Sequence, residues 1–175
     1  MATNLNTGQR AERKTLITVA EWNTGTGTTT QKREILGTRT EDSSIEFNAD
    51  IETITDIRGI TYTDVNKTEP QQDFDPFYIL GGSNLAEYLS NAALSNNIAA
   101  YNGTFTVYVI EAYVGDSTNG YTAVKHTGCS IIPTSIGGDS YVSMPIEVHF
   151  SNNITVGTVD KLSDDFTFSA SNVSL

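Results

Sequence analysis

Residues 104–114 read Thr-Phe-Thr-Val-Tyr-Val-Ile-Glu-Ala-Tyr-Val, a run dominated by β-branched and aromatic side chains. Such residues lose rotamer freedom in a helix and pack well on a pleated surface, so the run predicts a strand. Its apolar residues follow one another with little polar alternation, which predicts a strand covered on both faces. Beyond it, Asn119-Gly120 is a dipeptide suited to a tight turn, and residues 121–125 resume strand character, so a hairpin is expected. Residues 129–132 form a further short strand candidate, and residues 133–139, with Gly137-Gly138, a loop. Residues 141–150 alternate cleanly and place Val142, Met144, Ile146, Val148 and Phe150 on one side. Pro145 falls on the polar side, and its missing N–H predicts an edge or an interruption there.

In the other direction the period changes. Over residues 84–97, Leu85, Tyr88, Leu89, Ala92 and Ala93 recur at helical spacing, and Asn84 with Glu87 has the form of a capping box. This helix is expected to pack Leu85 and Leu89 into one core with Phe105, Val107, Val109 and the last alternating segment. Further towards the N-terminus, residues 1–13 are polar and read as a flexible arm. Residues 15–22, around Leu16, Ile17 and Val19, and residues 31–38, around Ile35 and Leu36, predict strands. The Gly/Thr stretch between them, residues 23–30, is too small and polar to fill a core and predicts a loop.

Residues 43–51 set Ile45, Phe47, Ala49 and Ile51 against Ser44, Glu46, Asn48 and Asp50, which predicts one half-buried strand with an acidic outer face. The apolar phase shifts at Ile54, so a bulge or turn is expected near Glu52 and Thr53. Gly59 reads as a turn, residues 60–65 as a strand, and residues 67–76, acidic with two prolines, as a loop. The fold class that follows is mainly β: a β-sandwich or partial barrel with one flanking α-helix, as a single domain over residues 14–175.

Composition narrows the function. Ten Lys and Arg face 21 Asp and Glu, a formal net charge of −11 that opposes attraction to a phosphate backbone. Eight of the ten basic residues lie at or before Lys67, an asymmetry compatible with complementary faces of a self-assembling unit and more readily with a solvated surface. No apolar run approaches the roughly 18 residues needed to cross a bilayer, so no membrane insertion is expected. Arg10, Arg13 and Lys14 precede only a short apolar stretch, without the long apolar region of a secretion signal. The single cysteine, Cys129, cannot form an internal disulfide and reads as a small buried apolar residue.

The search for catalytic chemistry gives no constellation. His126 and His149 have no serine or acid at a recognised spacing, and a hydrolase would need a pocket that brings one of them beside an acid or nucleophile. His126 and Cys129 alone do not make a four-ligand metal site. Glu69, Asp73 and Asp75, like Asp164 and Asp165, lack the spacing of a calcium loop. Gly25-Thr26-Gly27 lacks both the lysine of a phosphate loop and the spacing of a dinucleotide fingerprint. No catalytic residue, metal or cofactor is therefore expected.

Residues 50–59 (Asp-Ile-Glu-Thr-Ile-Thr-Asp-Ile-Arg-Gly), 65–69 (Val-Asn-Lys-Thr-Glu) and 73–77 (Asp-Phe-Asp-Pro-Phe) resemble the major tail proteins that build the tail tube of long-tailed bacteriophages. The likeness is densest over about residues 35–80, and the helix, long strand, hairpin and last alternating strand follow in a compatible order. The resemblance implies a non-enzymatic virion protein, made in the host bacterial cytoplasm. It would polymerise as stacked, hexameric rings into a conduit for DNA during ejection. By the same analogy its partners are copies of itself, a tape measure inside the tube, and terminator and tip proteins, with DNA passing through unbound. Glu46, Asn48, Asp50 and Glu52 are then candidates to face the lumen. Arg10, Arg13 and Lys14, the loop residues Thr26, Gly27 and Thr28, and the acids Glu69, Asp73 and Asp75 are candidates for contacts between subunits or rings. The alternative is a β-sandwich carbohydrate- or receptor-binding module. It would show aromatics grouped on one face, whereas Trp22 is the only tryptophan and the tyrosines are scattered.

Overall fold

A computed structural model of the chain describes residues 4–24 and 31–171. In chain order its strands are β1 (Leu16–Asn23), β2 (Gln31–Ile35), β3 (Ile45–Glu46), β4 (Asp50–Thr55), β5 (Thr61–Lys67) and β6 (Gln71–Phe74). The helix α1 (Asn84–Leu94) follows, then β7 (Phe105–Asp116), β8 (Gly120–Pro133), β9 (Ile146–His149), β10 (Ile154–Val159) and β11 (Phe168–Ala170). The expected class is the observed one: mainly β, antiparallel, with one flanking α-helix and no closure into a barrel.

The covered strand at residues 104–114 is the middle of the structure. β7 pairs with β1 on one side and β8 on the other, and β1 continues to the edge strand β2. β8 then serves two sheets. Its first half pairs with β10, which carries β11, while Ser130–Pro133 pairs with β9, followed by β6 and β3. The change happens at Gly128, which the β7–β8 register skips between Phe105↔Cys129 and Thr106↔Thr127. Gly128 has a φ of +87°, and a bulge in this left-handed conformation turns the strand at a corner between sheets. Residues 121–125 and 129–132 are therefore one bent strand, where the sequence suggested two.

Alternation along β7 feeds two cores. Phe105 and Val107 point between the sheets, where they meet Trp22, Phe74, Leu85, Leu89, Ile131, Met144, Ile146, Val148 and Phe150. Tyr108 and Ile110 point to the other face and pack with Val19, Ala123, Val159 and Phe166. That second core was not legible in advance, because β10, β11 and the Phe166 segment were not recognised. Across the first core the Thr18 hydroxyl donates to Gln72 Oε1 at 2.8 Å, and Gln72 Nε2 donates to Ser43 Oγ at 3.1 Å, so the buried amide of β6 is satisfied.

α1 closes this core with Leu85, Ala86, Leu89 and Ala92 buried. Its N-cap is Ser83, one residue before the expected Asn84: Ser83 Oγ accepts the Ala86 N–H at 3.2 Å and donates to Glu34 Oε1 at 2.6 Å. Glu34 Oε2 accepts the Leu85 N–H at 3.0 Å, so a carboxylate from β2 sits on the positive end of the helix. The helix ends at Leu94, short of the expected Asn97.

Three further expectations are corrected. Residues 43–51 do not form one strand: β3 stops at Glu46, Asn48 adopts a φ of +44°, and β4 starts a separate two-stranded sheet with β5. The loop expected at residues 67–76 contains β6, a strand bracketed by Pro70 and Pro76 and paired on both sides. In residues 141–150 only Ile146–His149 is strand; Met144, Ile146, Val148 and Phe150 are buried as expected, but Val142, before the interruption at Pro145, is 52% exposed.

Candidate functional site

The hairpin of β4 and β5 stands outside both cores, with every residue of both strands exposed. Its turn is built by Asp56, whose Oδ1 accepts the N–H of Arg58 at 2.8 Å and of Ile60 at 3.0 Å. These bonds, that to Ile60 first, hold the Asp56 carboxyl below the usual carboxylate range. At the root, the Glu69 N–H donates to Phe47 O at 3.0 Å and Asn48 Nδ2 donates to Glu69 O at 3.2 Å.

Residues directly opposite in an antiparallel pair share a face. One face of the hairpin therefore carries Ile51, Thr53 and Thr55 against Val65, Thr63 and Thr61, and the other carries Ile54 against Tyr62 and Glu52 against Asp64. Both faces expose large apolar groups; at the turn Ile57 is fully exposed, and Phe47 at the root is 65% exposed. An isolated two-stranded hairpin is marginal in water, and Glu52 opposite Asp64 sets like charges against each other. No cation pairs with either acid within the described chain. The signal for this exposure was present in the sequence. Ile51, Ile54, Ile57 and Ile60 recur every third residue, which on a period-two strand alternates faces, so one core cannot bury them all.

A second apolar surface lies at the end of β3, β6 and β9 away from the hairpin. The hairpin leaves β3 after Glu46 and enters β6 at Gln71, positions that pair with each other and with His149 at one end of β9. The segments that follow Phe74 and precede Ile146 leave the opposite end. There Tyr78, Ile79, Leu80, Tyr141 and Val142, with Arg39, line a groove of about 530 Å³. Its walls are joined by a bridge between Tyr78 and Ser143 and by the Ile79 N–H donating to Val142 O at 3.1 Å. A further recess of about 560 Å³ opens at the hairpin's root, where Leu16, Phe47, Pro70, Val109, Val124 and Ile154 are among the lining residues.

The structure distributes the residues singled out in the sequence. Glu46 lies in β3, Asn48 in the break and Asp50 and Glu52 in β4, so they do not share one strand face. Arg13 donates to Ser43 O and Leu16 O, and Lys14 pairs with Glu12 at 2.5 Å. Asn4, within the expected arm, donates its backbone N–H to Tyr113 O at 3.0 Å and its Nδ2 to Gly115 O at 3.0 Å. Glu69 pairs with Lys67 at 2.6 Å, while Asp73 and Asp75 are exposed along β6 and just after it. Arg10 is exposed, and Thr26, Gly27 and Thr28 lie outside the described residues.

The two histidines and the cysteine each have a local partner. His126 Nδ1 lies 3.0 Å from Ser151 O, and His149 Nε2 lies 3.3 Å from Glu147. Cys129 is fully buried, and burial pushes its thiol up, away from the reactive thiolate. Among the described residues no group of three His, Cys, Asp or Glu side chains is placed to hold a metal ion, and no helix is long and apolar enough to cross a membrane.

No protein-family model matches the chain, and no curated protein matches it. Among solved structures, a chain of the cryo-EM structure of the anti-feeding prophage (AFP) baseplate, 6-fold symmetrised, is similar in backbone. The TM-score is 0.47 and the sequence identity 11%, with 90% of this chain and 100% of that chain covered.

Proposed function

We propose that this chain is a structural subunit that polymerises with copies of itself, as stacked rings forming a phage tail tube through which DNA passes. The observation that carries the reading is the hairpin Asp50–Lys67, whose Ile51, Ile54, Ile57, Ile60, Tyr62 and Val65 are all exposed. Burial of each such side chain is worth roughly 1.5–3 kcal/mol, and among the described residues nothing covers them. The resemblance to major tail proteins falls on this hairpin at residues 50–59 and 65–69, and on β6 and the segment after it at residues 73–77. Hexameric rings, and tape-measure, terminator and tip proteins as partners, belong to this proposal through that resemblance.

Within it, Glu46, Asn48 and Asp50 are assigned to the conduit wall, where negative charge repels phosphate and keeps the passing strand from sticking. Glu52, opposite Asp64, belongs to a different contact. Arg10 and the loop residues Thr26, Gly27 and Thr28 are assigned to contacts between copies, with Asp73 and Asp75 as acidic counterparts. An assembled structure with Glu46 and Asp50 on the outer surface would remove the wall assignment.

The test is light scattering after size-exclusion chromatography, followed by negative-stain microscopy of the purified protein. Rings or tubes are expected. A strict monomer at every concentration, retained on an immobilised polysaccharide, would favour the carbohydrate-binding alternative, to which Tyr78 and Tyr141 in the groove lend their rings.

A further inference from the structure

We infer that the hairpin of one copy docks head-to-tail into the Arg39 groove of a second copy, through the face that carries Ile54, Tyr62, Glu52 and Asp64. The inference rests on the self-assembly reading and names the two surfaces that carry it. The first argument is placement. Hairpin and groove leave opposite ends of the same three strands, β3, β6 and β9, so one molecule presents them at two separate ends of this sheet. A protruding surface at one end and a recessed one at the other form a heterologous contact, which repeats from copy to copy and closes into a ring or extends as a filament.

The second argument is charge. Arg39 is exposed at the groove, and among the described residues it has no hydrogen-bond or ion-pair partner. Glu52 and Asp64 are the converse: two acids directly opposite each other, with no cation on either. A guanidinium placed between them would relieve their mutual repulsion and satisfy its own fork of donors. Ile54 and Tyr62, beside the acids on the same face, would meet Ile79, Tyr141 and Val142, of which Tyr141 and Val142 are 77% and 52% exposed. The recess at the hairpin's root fits this face less well. It carries Glu111, which repels the acid pair, and its Arg13 is already committed to the carbonyls of Ser43 and Leu16.

The test is a charge swap read by assembly. Wild type, Arg39→Glu and the double variant Arg39→Glu with Glu52→Lys are compared by sedimentation and negative-stain microscopy over a concentration series, with far-UV circular dichroism to verify the fold. Like charges brought together across an interface are strongly disfavoured, so Arg39→Glu should raise the concentration for half-assembly about tenfold or more, and the double variant should recover most of it. Mixing Tyr62→Cys with Val142→Cys should also give a disulfide-linked dimer under oxidation. If wild type and Arg39→Glu assemble at the same concentration, the docking site is wrong while self-assembly stands. If Arg39→Glu fails but neither the swap nor the cross-link succeeds, the docking site is again wrong. A wild type that stays monomeric throughout removes both.

Discussion

Ile146 shows how a single side chain reports the phase of a strand. It is 1% exposed, packed between the sheets, and the alternation Met144, Ile146, Val148, Phe150 was readable because period two on one face is what a core demands. Ile146→Ala should cost about 2–5 kcal/mol by leaving a cavity, seen as a lower urea midpoint with an unchanged slope. Tyr108 offers a pH test. It packs edge-on against Phe166, its hydroxyl donates to Glu21 Oε2 at 3.2 Å, and Arg33 spans Glu21 and the Phe166 carbonyl. Burial, followed by the negative charge of Glu21, pushes its phenol up to about 12. Above about pH 10 the unfolded chain releases this proton while the folded chain keeps it, so stability is complete below pH 10 and declines towards 12. The expected loss is roughly 2 kcal/mol, read as the difference in alkaline unfolding between wild type and Tyr108→Phe. The pair Glu21 and Arg33 was invisible in the sequence because its residues meet only when β1 and β2 align Glu21 opposite Arg33.

Elements were legible where one local rule applied and obscure where two competed. β7, the β7–β8 turn and α1 follow from composition, the Asn119-Gly120 dipeptide and helical spacing. The helix start moved by one because Ser83 and Asn84 are both competent caps, and Glu34, distant in sequence, decides for Ser83. Ser83→Ala should therefore cost about 1 kcal/mol, measurable as a shift in thermal midpoint. β6 was hidden by flanking prolines, and β10 by Gly157, where a Cβ would meet the Ser169 carbonyl oxygen at 2.3 Å because β11 approaches so closely. At the hairpin, local pattern and tertiary fate diverge. Apolar alternation in residues 43–51 indicated a core face, but the break at Asn48 carries Ile51 out of the body. Ile54→Asp should consequently change monomer stability by less than about 0.5 kcal/mol, as expected for a surface position, while abolishing rings or tubes in micrographs.

For the whole molecule, the net charge of −11 is the property most directly carried from composition to behaviour. A gel-shift series with double-stranded DNA at about 0.15 M salt should show no retarded species, because no phosphate neutralisation offsets the repulsion. The architecture was legible as a class, two sheets and a helix. Its connectivity was not, since a strand that belongs to both sheets depends on one bulge at Gly128 that sequence pattern reads as a gap. The placement of hairpin and groove at opposite ends of β3, β6 and β9 also has a mechanical meaning. In any assembly that engages both ends, tension enters and leaves along the strands. A sheet pulled lengthwise resists in shear, with several backbone hydrogen bonds loaded at once, whereas one pulled sideways unzips bond by bond. The direction in which neighbours would be drawn apart is thus the direction in which each subunit is hardest to tear.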